Sequence, residues 1–162
     1  AREQLDNWVR IIHAREWAYR VTTRSIIEEK GAHVHAVRPA TLVSDVVNIL
    51  REHRIGSVLV LDNREHIAGV LSERDIVREM ALNGAACLHR PVAHALTAAF
   101  ITAGADASLN DLMMLMTERR VRHIPIIEGD ALLGLISIGD LVKTRLADME
   151  AEAEALQAYI RS

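Results

Sequence analysis

Two copies of one short motif hold the residues whose types and spacing are best suited to binding chemistry. The motif is Gly-x-x-Ser-x-x-Asp, at residues 69–75 and again at residues 134–140. In both copies an apolar run of strand length ends, a serine follows and an amphipathic helical pattern begins. The N-terminus of a helix offers unpaired N–H groups and the positive end of the helix dipole, which together suit a phosphate.

Serine and aspartate three residues apart on a helix could hold two neighbouring groups of a nucleotide. The hydroxyl of Ser72 or Ser137 could bond a phosphate oxygen, and the two oxygens of Asp75 or Asp140 could accept both hydroxyls of a ribose. The same pattern matches a capping box, in which the serine satisfies an N–H group of the first helical turn. Capping and ligand binding are compatible, and both interpretations stay open at this point.

The two motifs belong to a longer internal repeat. Residues 34–62 match residues 100–128 at an offset of 66. One residue is then lost where a turn is expected, and at an offset of 65 Asp75 falls on Asp140. Because an internal repeat fixes the architecture, both copies should contain the same elements.

Each copy predicts the order strand, helix, strand, strand, helix. In the first copy, residues 33–37 form a short extended segment, and apolar residues recur at helical spacing over residues 43–50. Two strands follow at residues 57–61 and 67–71, joined by a polar turn, and the second helix starts after them. The second copy repeats this order at residues 100–103, 108–119, 123–127 and 132–136, with a last helix from Ile138.

The predicted fold class is therefore α/β (α+β), with two tandem β-α-β-β-α repeats and flanking helices. One repeat of about 60 residues is too small to bury a good core alone, so the two copies are expected to pack around a pseudo-two-fold axis. The expected organisation is a helical flank at 1–24, repeats at 25–84 and 98–148 joined by a linker at 85–97, and a helical segment at 149–162.

Both flanks are expected to be helical. Residues 1–24 are amphipathic and contain Trp8 and Trp17, and the last helix continues through an Ala/Glu-rich section at residues 147–158. Helices that extend beyond a repeat usually pack on the module or on a partner subunit, so a homodimer is expected.

With these motifs in order, the sequence resembles a pair of CBS domains, also called a Bateman module. The segments that carry the resemblance are residues 52–60, 71–78 and 117–126, and it covers roughly residues 24–148. Such modules are regulatory sensors that bind AMP, ADP, ATP, NAD(H) or S-adenosylmethionine in clefts between the two repeats. The resemblance therefore implies an adenine nucleotide as ligand and no catalytic cofactor.

The resemblance also implies roles for particular residues. The aspartates of the motif, Asp75 and Asp140, would hold ribose, and Ser72 and Ser137 would contact phosphate. The adenine would lie against residues of the first and second strands of each repeat, which in this chain are Val34, His35, Ala36 and Val58, and Ile101, Thr102, Ala103 and Ile124.

The two copies differ in ways that predict unequal sites. Before the second strand the second copy has Arg122 and His123, which could bind phosphate from across the module, although a solvated corner is the plain alternative. The first copy has Gly56 and Ser57 there. It also has Leu42 before its first helix, where many relatives have Thr, whereas the second copy has Ser108.

Composition limits the classes of partner. The chain has 162 residues, half of them hydrophobic but only 3% aromatic, so its core should be aliphatic. A net charge of −3 argues against a nucleic-acid binder. No apolar run approaches the roughly 20 residues that span a bilayer, and the charged N-terminus does not resemble a secretory signal. A single cysteine, Cys87, favours a reducing, cytoplasmic compartment.

Other groups of reactive residues are weaker candidates. His33 and His35 alternate on a strand, but no acidic residue or cysteine at suitable spacing completes a metal site. Cys87, His89 and His94 lie in the linker without an orienting acid, and Met113, Met114 and Met116 have the spacing of packing residues.

Three functions are consistent with the sequence. The first is a nucleotide-sensing regulatory module that signals to an effector protein not identified by the sequence. The second is a structural dimerisation module without a physiological nucleotide. The third and weakest is an enzyme acting on a nucleotide, for which only His123 could serve as a general base.

Overall fold

The computed structural model describes residues 21–96 and 100–161. Residues 1–20 of the helical flank expected at 1–24, with Trp8 and Trp17, lie outside the described residues, as do the last linker residue, 97, and the first two residues of the second repeat, 98–99. Within them the chain is mixed α/β, as predicted, with five α-helices and two three-stranded sheets. None of these helices is both long enough and apolar enough to span a membrane.

The elements follow the predicted order in both repeats. The α-helices are α1 (Thr23–Lys30), α2 (Val43–His53), α3 (Glu73–Asn83), α4 (Leu109–Arg119) and α5 (Ile138–Arg161). The strands are β1 (Ala36–Val37), β2 (Ser57–Leu61), β3 (Ile67–Ser72), β4 (Ala103–Gly104), β5 (His123–Glu128) and β6 (Ala131–Ser137). Two 3₁₀ segments, Gly84–His89 and Val92–His94, form the linker.

The opening strands are the elements that differ from expectation. Residues 33–37 were expected to be extended, but only Ala36–Val37 pairs as a strand, and the second opening strand is Ala103–Gly104 rather than residues 100–103. Each short strand pairs in parallel with the first strand of its hairpin, β2 or β5, which in turn pairs antiparallel with β3 or β6. Two residue pairs are enough to hold each opening strand in its sheet, because the hairpin supplies most of the sheet.

The chain divides into two compact units. The first unit is His33–Ile101, which contains the first repeat and the linker after it. The second unit contains the second repeat together with α1, most of which belongs to the first repeat in sequence. The sequence repeat and the compact unit are therefore different sets of residues, since residues 25–32 belong to the first repeat by sequence and to the second unit by packing.

Equivalent hydrogen bonds attach to each repeat the segment that precedes the other repeat in sequence. In the second unit the N–H of Thr23 donates to the carbonyl oxygen of Ala107 at 2.9 Å, and in the first unit that of Val92 donates to Thr41 at 2.8 Å. The Thr23 side chain is fully buried, and its hydroxyl donates to the same Ala107 oxygen at 2.7 Å. The first unit is thus completed by the linker that follows its repeat, and the second by the segment at Thr23, which comes before both repeats.

Both units have an aliphatic core, as the composition predicted. In the first unit Val46, Val58 and Leu71 are fully buried, and in the second Leu112, Ile124 and Ile136 are. Burying such side chains stabilises a fold by roughly 1.5–3 kcal/mol each. The cores hold the sheets against the helices and so fix where β3 meets α3 and where β6 meets α5.

Candidate functional site

The two motifs form strand-to-helix corners with the same internal geometry. At the first corner Ser72 ends β3 and caps α3, and its N–H and hydroxyl groups donate to Asp75 Oδ2 at 2.9 and 2.5 Å. At the second corner the N–H and hydroxyl groups of Ser137 both donate to Asp140 Oδ2 at 2.8 Å. The N–H of each aspartate donates back to the serine hydroxyl, at 3.4 and 3.3 Å. Both motifs are therefore capping boxes.

A third capping box shows that this arrangement does not require a ligand. Ser108 and Asp111 at the start of α4 make the same three hydrogen bonds, with the N–H of Ser108 donating to Asp111 Oδ2 at 3.0 Å. The hydroxyl and N–H groups of Ser108 lower the pKa of Asp111. Serine and aspartate three residues apart are explained here by capping alone, so ligand binding at the other corners needs further support.

The glycine of each motif is explained by close packing. A Cβ atom on Gly134 would lie 2.5 Å from Cδ1 of Ile27 on α1, and one on Gly69 would lie 3.0 Å from Cδ2 of Leu96. Both glycines are buried. They allow the segment that completes each unit to approach the sheet, a role that the sequence pattern does not reveal.

The two aspartates differ in how their oxygens are used. At the first corner Arg78 donates to Asp75 Oδ1 at 2.8 Å, so both oxygens of Asp75 accept hydrogen bonds. At the second corner Lys30 of α1 donates to Asp140 Oδ2 at 2.6 Å, the same oxygen that accepts from Ser137. Within the described residues no hydrogen bond to Asp140 Oδ1 is found.

The environment of Asp140 favours its charged form. Burial of the carboxyl acts to raise its pKa, but hydrogen bonds from Lys30 and Ser137 outweigh burial and hold the pKa below its ordinary value. Lys30 also donates to the carbonyl oxygen of Leu135 at 3.0 Å, which orients its ammonium group. Sequence analysis missed Lys30 because it lies 110 positions from Asp140 and in a different repeat.

The structure brings the basic pair to the second corner. His123 pairs with Ser137 across the β5–β6 ladder, and the carbonyl oxygen of Arg122 accepts from the N–H of Ile138, the first residue of α5, at 2.9 Å. Arg122 is exposed and His123 is half-buried. Within its own repeat the pair therefore lies beside the motif.

The first corner has a small hydroxyl residue at the position equivalent to His123. Ser57 pairs with Ser72 in the β2–β3 ladder, and the carbonyl oxygen of Gly56 accepts from the N–H of Glu73 at 3.0 Å. The Ser57 side chain is only 5% exposed, and its hydroxyl has no hydrogen-bond partner among the described residues. A buried hydroxyl without a hydrogen bond is unfavourable. The first corner therefore contains one polar group whose hydrogen bonding is not satisfied within the described residues.

The residues expected to contact adenine fall into two groups. Ala36 is exposed, and Val34, Ile101 and Thr102 are half-buried, so each has surface that a ligand could reach. Val58 and Ile124 are fully buried within the two cores. Direct side-chain contacts from these last two residues are not supported, because core packing leaves none of their surface exposed.

A histidine cluster, only part of which was considered from sequence, lies in the first unit. The rings of His33 and His35 are 4.8 Å apart, and that of His35 lies 4.1 Å from that of His53 at the end of α2. Burial, together with the charges of His53 and His33, lowers the pKa of His35. Within the described ranges no group of three His, Cys, Asp or Glu side chains is arranged to hold a metal ion.

Comparison with known protein families identifies the repeat. A family model described as CBS domain matches residues 22–82 and again residues 92–147. The CBS domain-containing protein CBSX3, mitochondrial, of Arabidopsis thaliana is 32% identical over 123 residues, which cover 74% of this chain and 60% of that protein. The match thus spans less than two thirds of that relative's length.

Solved structures share the fold. The CBS-domain containing protein ATU1752 from Agrobacterium tumefaciens has 35% sequence identity and a TM-score of 0.74, over 76% of this chain and 92% of that chain. The CBS domain pair of protein MJ0100, solved in complex with 5′-methylthioadenosine and S-adenosyl-L-methionine, has a TM-score of 0.69 at 16% identity, over 78% of this chain and 97% of that chain. The second similarity shows the fold alone.

Proposed function

This chain belongs to the CBS-domain family and carries two CBS domains in tandem, and from that premise we propose that it is a regulatory module that binds an adenine nucleotide and catalyses no reaction. The candidate ligands are AMP, ADP, ATP and NAD. The observation that carries the proposal is the second corner, where a helix N-terminus, the Oδ1 atom of Asp140 and the basic pair Arg122 and His123 occur together.

The start of α5 suits a phosphate. The first N–H groups of a helix have no acceptor within it. Two of them are used, since Ile138 donates to Arg122 and Asp140 donates to the hydroxyl of Ser137. Among the described residues no hydrogen bond from the N–H of Gly139 is found, and we expect this group to donate to a phosphate oxygen. The side chain of Arg122 supplies positive charge nearby, with His123 next to it in sequence.

The carboxylate of Asp140 suits a ribose. Its Oδ2 atom stays in the capping box and the ion pair with Lys30, while Oδ1 accepts a ribose hydroxyl. The lowered pKa of Asp140 keeps the acceptor ionised, and hydrogen bonds to charged acceptors are the stronger kind. Ligand binding therefore does not require the helix cap to open.

The base would lie against the opening segments of the repeats. Val34 and Ala36 in the first repeat, and Ile101 and Thr102 in the second, offer exposed or half-buried apolar surface and backbone groups. The two ligands bound to MJ0100 both contain an adenosine, which supports that chemical class here. S-adenosylmethionine is therefore included in the test below.

The two corners should differ in affinity. At the first corner Arg78 occupies Asp75 Oδ1, so a ribose hydroxyl must share or displace that hydrogen bond. The first corner also has Gly56 and Ser57 where the second has the basic pair. We expect the second corner to bind more tightly than the first.

A structural dimerisation module without a nucleotide ligand is the second candidate. The observation that favours it is the third capping box, Ser108 and Asp111, which has the geometry of the motif although it lies in neither Gly-x-x-Ser-x-x-Asp copy. In both candidates the protein acts as a homodimer, and in the first its output passes to an effector protein. The cytoplasmic location expected from the single cysteine remains part of the proposal.

Ligand titration with matched variants separates the two candidates. The protein is titrated with AMP, ADP, ATP, NAD and S-adenosylmethionine while thermal unfolding is followed, in the wild type, Asp75→Ala, Asp140→Ala and Asp111→Ala. A ligand at 100 times its Kd stabilises by about 2.7 kcal/mol. Asp111→Ala is the control because it removes a capping box without removing a predicted ligand contact.

The proposal predicts that one ligand stabilises the wild type and Asp111→Ala but not Asp140→Ala. Asp75→Ala should retain most of the response, since the first corner is the weaker one. A folded wild type that responds to none of the five ligands would exclude the sensor and leave the dimerisation module.

A further inference from the structure

The last helix continues beyond the CBS domain as a segment that is largely exposed among the described residues. The family match ends at residue 147, whereas α5 runs to Arg161. At its start Leu141 is fully buried and fixes the helix to the core of the second unit. From Met149 onward, nearly every residue with a described side chain is exposed. A helical segment of this length is marginal in water unless something packs against it.

The exposed part of α5 carries a regular apolar seam. Its members are spaced 4, 3, 4, 3 and 4 residues apart, which is the spacing of alternating d and a positions in a heptad repeat. The seam consists of Val142, Leu146, Met149, Ala153, Leu156 and Ile160. Its five large side chains are between 47% and 81% exposed. Such a stripe is too narrow for burial in a globular core and is typical of the contact face of a two-stranded coiled coil.

Charges beside the seam favour a second copy of this chain in parallel orientation. In a parallel pair the residue before one a position faces the residue five positions later on the other helix. Here those residues are Arg145 and Glu150, so each copy's arginine meets the other copy's glutamate. An antiparallel pair that overlaps the whole seam brings Glu150 and Glu152 of both copies together, and like charges repel.

We propose that the seam of α5 pairs with the same seam of a second copy as a parallel two-stranded coiled coil. The inference rests on the homodimer part of the proposed function and not on nucleotide binding. The helix is already formed where Leu141 anchors it, so pairing does not require nucleation of a new helix and loses less conformational entropy.

Self-association is measured by sedimentation over a range of concentrations, with two double variants. Leu156→Gln with Ile160→Gln removes two seam residues. Ala151→Gln with Ala158→Gln places the same new side chains on the outer face of the same helix. The first variant should raise the dimer Kd at least tenfold and the second should leave it unchanged.

The charges and the orientation are tested separately. Arg145→Glu or Glu150→Arg alone should weaken the dimer about fivefold, as expected for two exposed ion pairs of about 0.5 kcal/mol each, and the double exchange should restore it. In a Cys87→Ala background, Ala153→Cys and Ile160→Cys should each crosslink between copies with a short bis-maleimide, while Ala151→Cys should not. Ile160→Cys reports the orientation, because an antiparallel pair over the whole seam would hold the two copies of residue 160 about 27 Å apart.

The outcomes distinguish this inference from the proposed homodimer. A dimer that is insensitive to Leu156→Gln with Ile160→Gln overturns the seam and leaves the homodimer in place. A wild type that stays monomeric at tens of micromolar overturns both. A dimer that depends on the seam but fails to crosslink through Ile160→Cys overturns the parallel orientation.

Discussion

Gly134 on β6 and Ile27 on α1 approach so closely that a Cβ atom on the glycine would lie 2.5 Å from Ile27 Cδ1. This is closer than side chains normally pack, and Ile27 is buried, so the isoleucine has little room to move. The motif glycine therefore sets how α1 lies on the second unit. Since Lys30 lies at the end of α1, the same packing also sets its contact with Asp140.

Gly134→Ala should destabilise the protein by about 1–3 kcal/mol through overpacking. Gly69→Ala should cost less, because its nearest neighbour, Leu96 Cδ2, would lie 3.0 Å away. Both free energies of unfolding can be measured by urea denaturation. The key control is Ile27→Val, which removes the clashing Cδ1 atom. Combined with Gly134→Ala it should recover part of the loss, and strict additivity would contradict the packing explanation.

Lys30→Met should lower stability by about 0.5–1 kcal/mol near neutral pH, since the ion pair is only partly buried. The folded-state pKa of Asp140 is lowered, so its contribution is present above the unfolded pKa of about 4 and is lost as pH falls through the folded pKa. The difference in unfolding free energy between wild type and variant should therefore shrink on acidification below about pH 4. A difference that is constant with pH would mean that Lys30 stabilises by packing alone.

The internal repeat made most of the fold predictable. Apolar periodicity located the hairpins and the helices because each buries one side against a core, and the offset between copies placed Ser72 and Ser137 at the same strand-to-helix junction. The packing of α1 was not predictable, since spacing along the sequence does not say which repeat Thr23 will contact. The second corner was only partly predictable for the same reason, because Lys30 reaches Asp140 through that packing.

For some residues the sequence indicated an interaction but not the position or the partners that the side chain has in the fold. His33 and His35 were predicted to lie on one strand, but both precede β1, although their rings do lie close together. His53 comes from the end of a helix and gave no signal in the sequence. Val58 and Ile124 were expected to contact adenine, and burial in the cores occupies them instead. In each case the surroundings of the side chain depend on tertiary packing, which the spacing of residues along one sequence does not reveal.

Leu42→Ser should stabilise the first unit. Leu42 is the N-cap of α2 but makes no side-chain cap, although its backbone angles, φ −73° and ψ 147°, are close to those of Ser108, φ −77° and ψ 159°. Asp45 already occupies the position that completes a capping box. The new cap should contribute about 0.5–1 kcal/mol.

The matched control for this cap is Leu42→Ala, which loses the same apolar side chain without gaining a hydroxyl. The serine variant should be the more stable of the two in thermal unfolding. Ser108→Ala should lose about 1 kcal/mol and let the pKa of Asp111 rise toward its ordinary value, because Ser108 is what lowers it. Equal stability of the two Leu42 variants would mean that Asp45 does not complete a box.

His53→Gln should reduce the sensitivity of the protein to mild acid. Burial and the neighbouring His53 and His33 lower the pKa of His35, so the unfolded chain binds more protons there than the folded one does. The contribution of neutral His35 to the free energy of unfolding is therefore fully present above the unfolded pKa, near 6.5. It declines as the pH falls below that value. Replacing His53 removes one of the charges that oppose protonation of His35, so the loss of unfolding free energy between pH 7.5 and 5.5 should become smaller.

The control is His89→Gln, which changes an exposed histidine of the same unit and should leave the wild-type pH profile unchanged. An identical profile in His53→Gln would show that the contact between the rings of His35 and His53 has no effect on protonation.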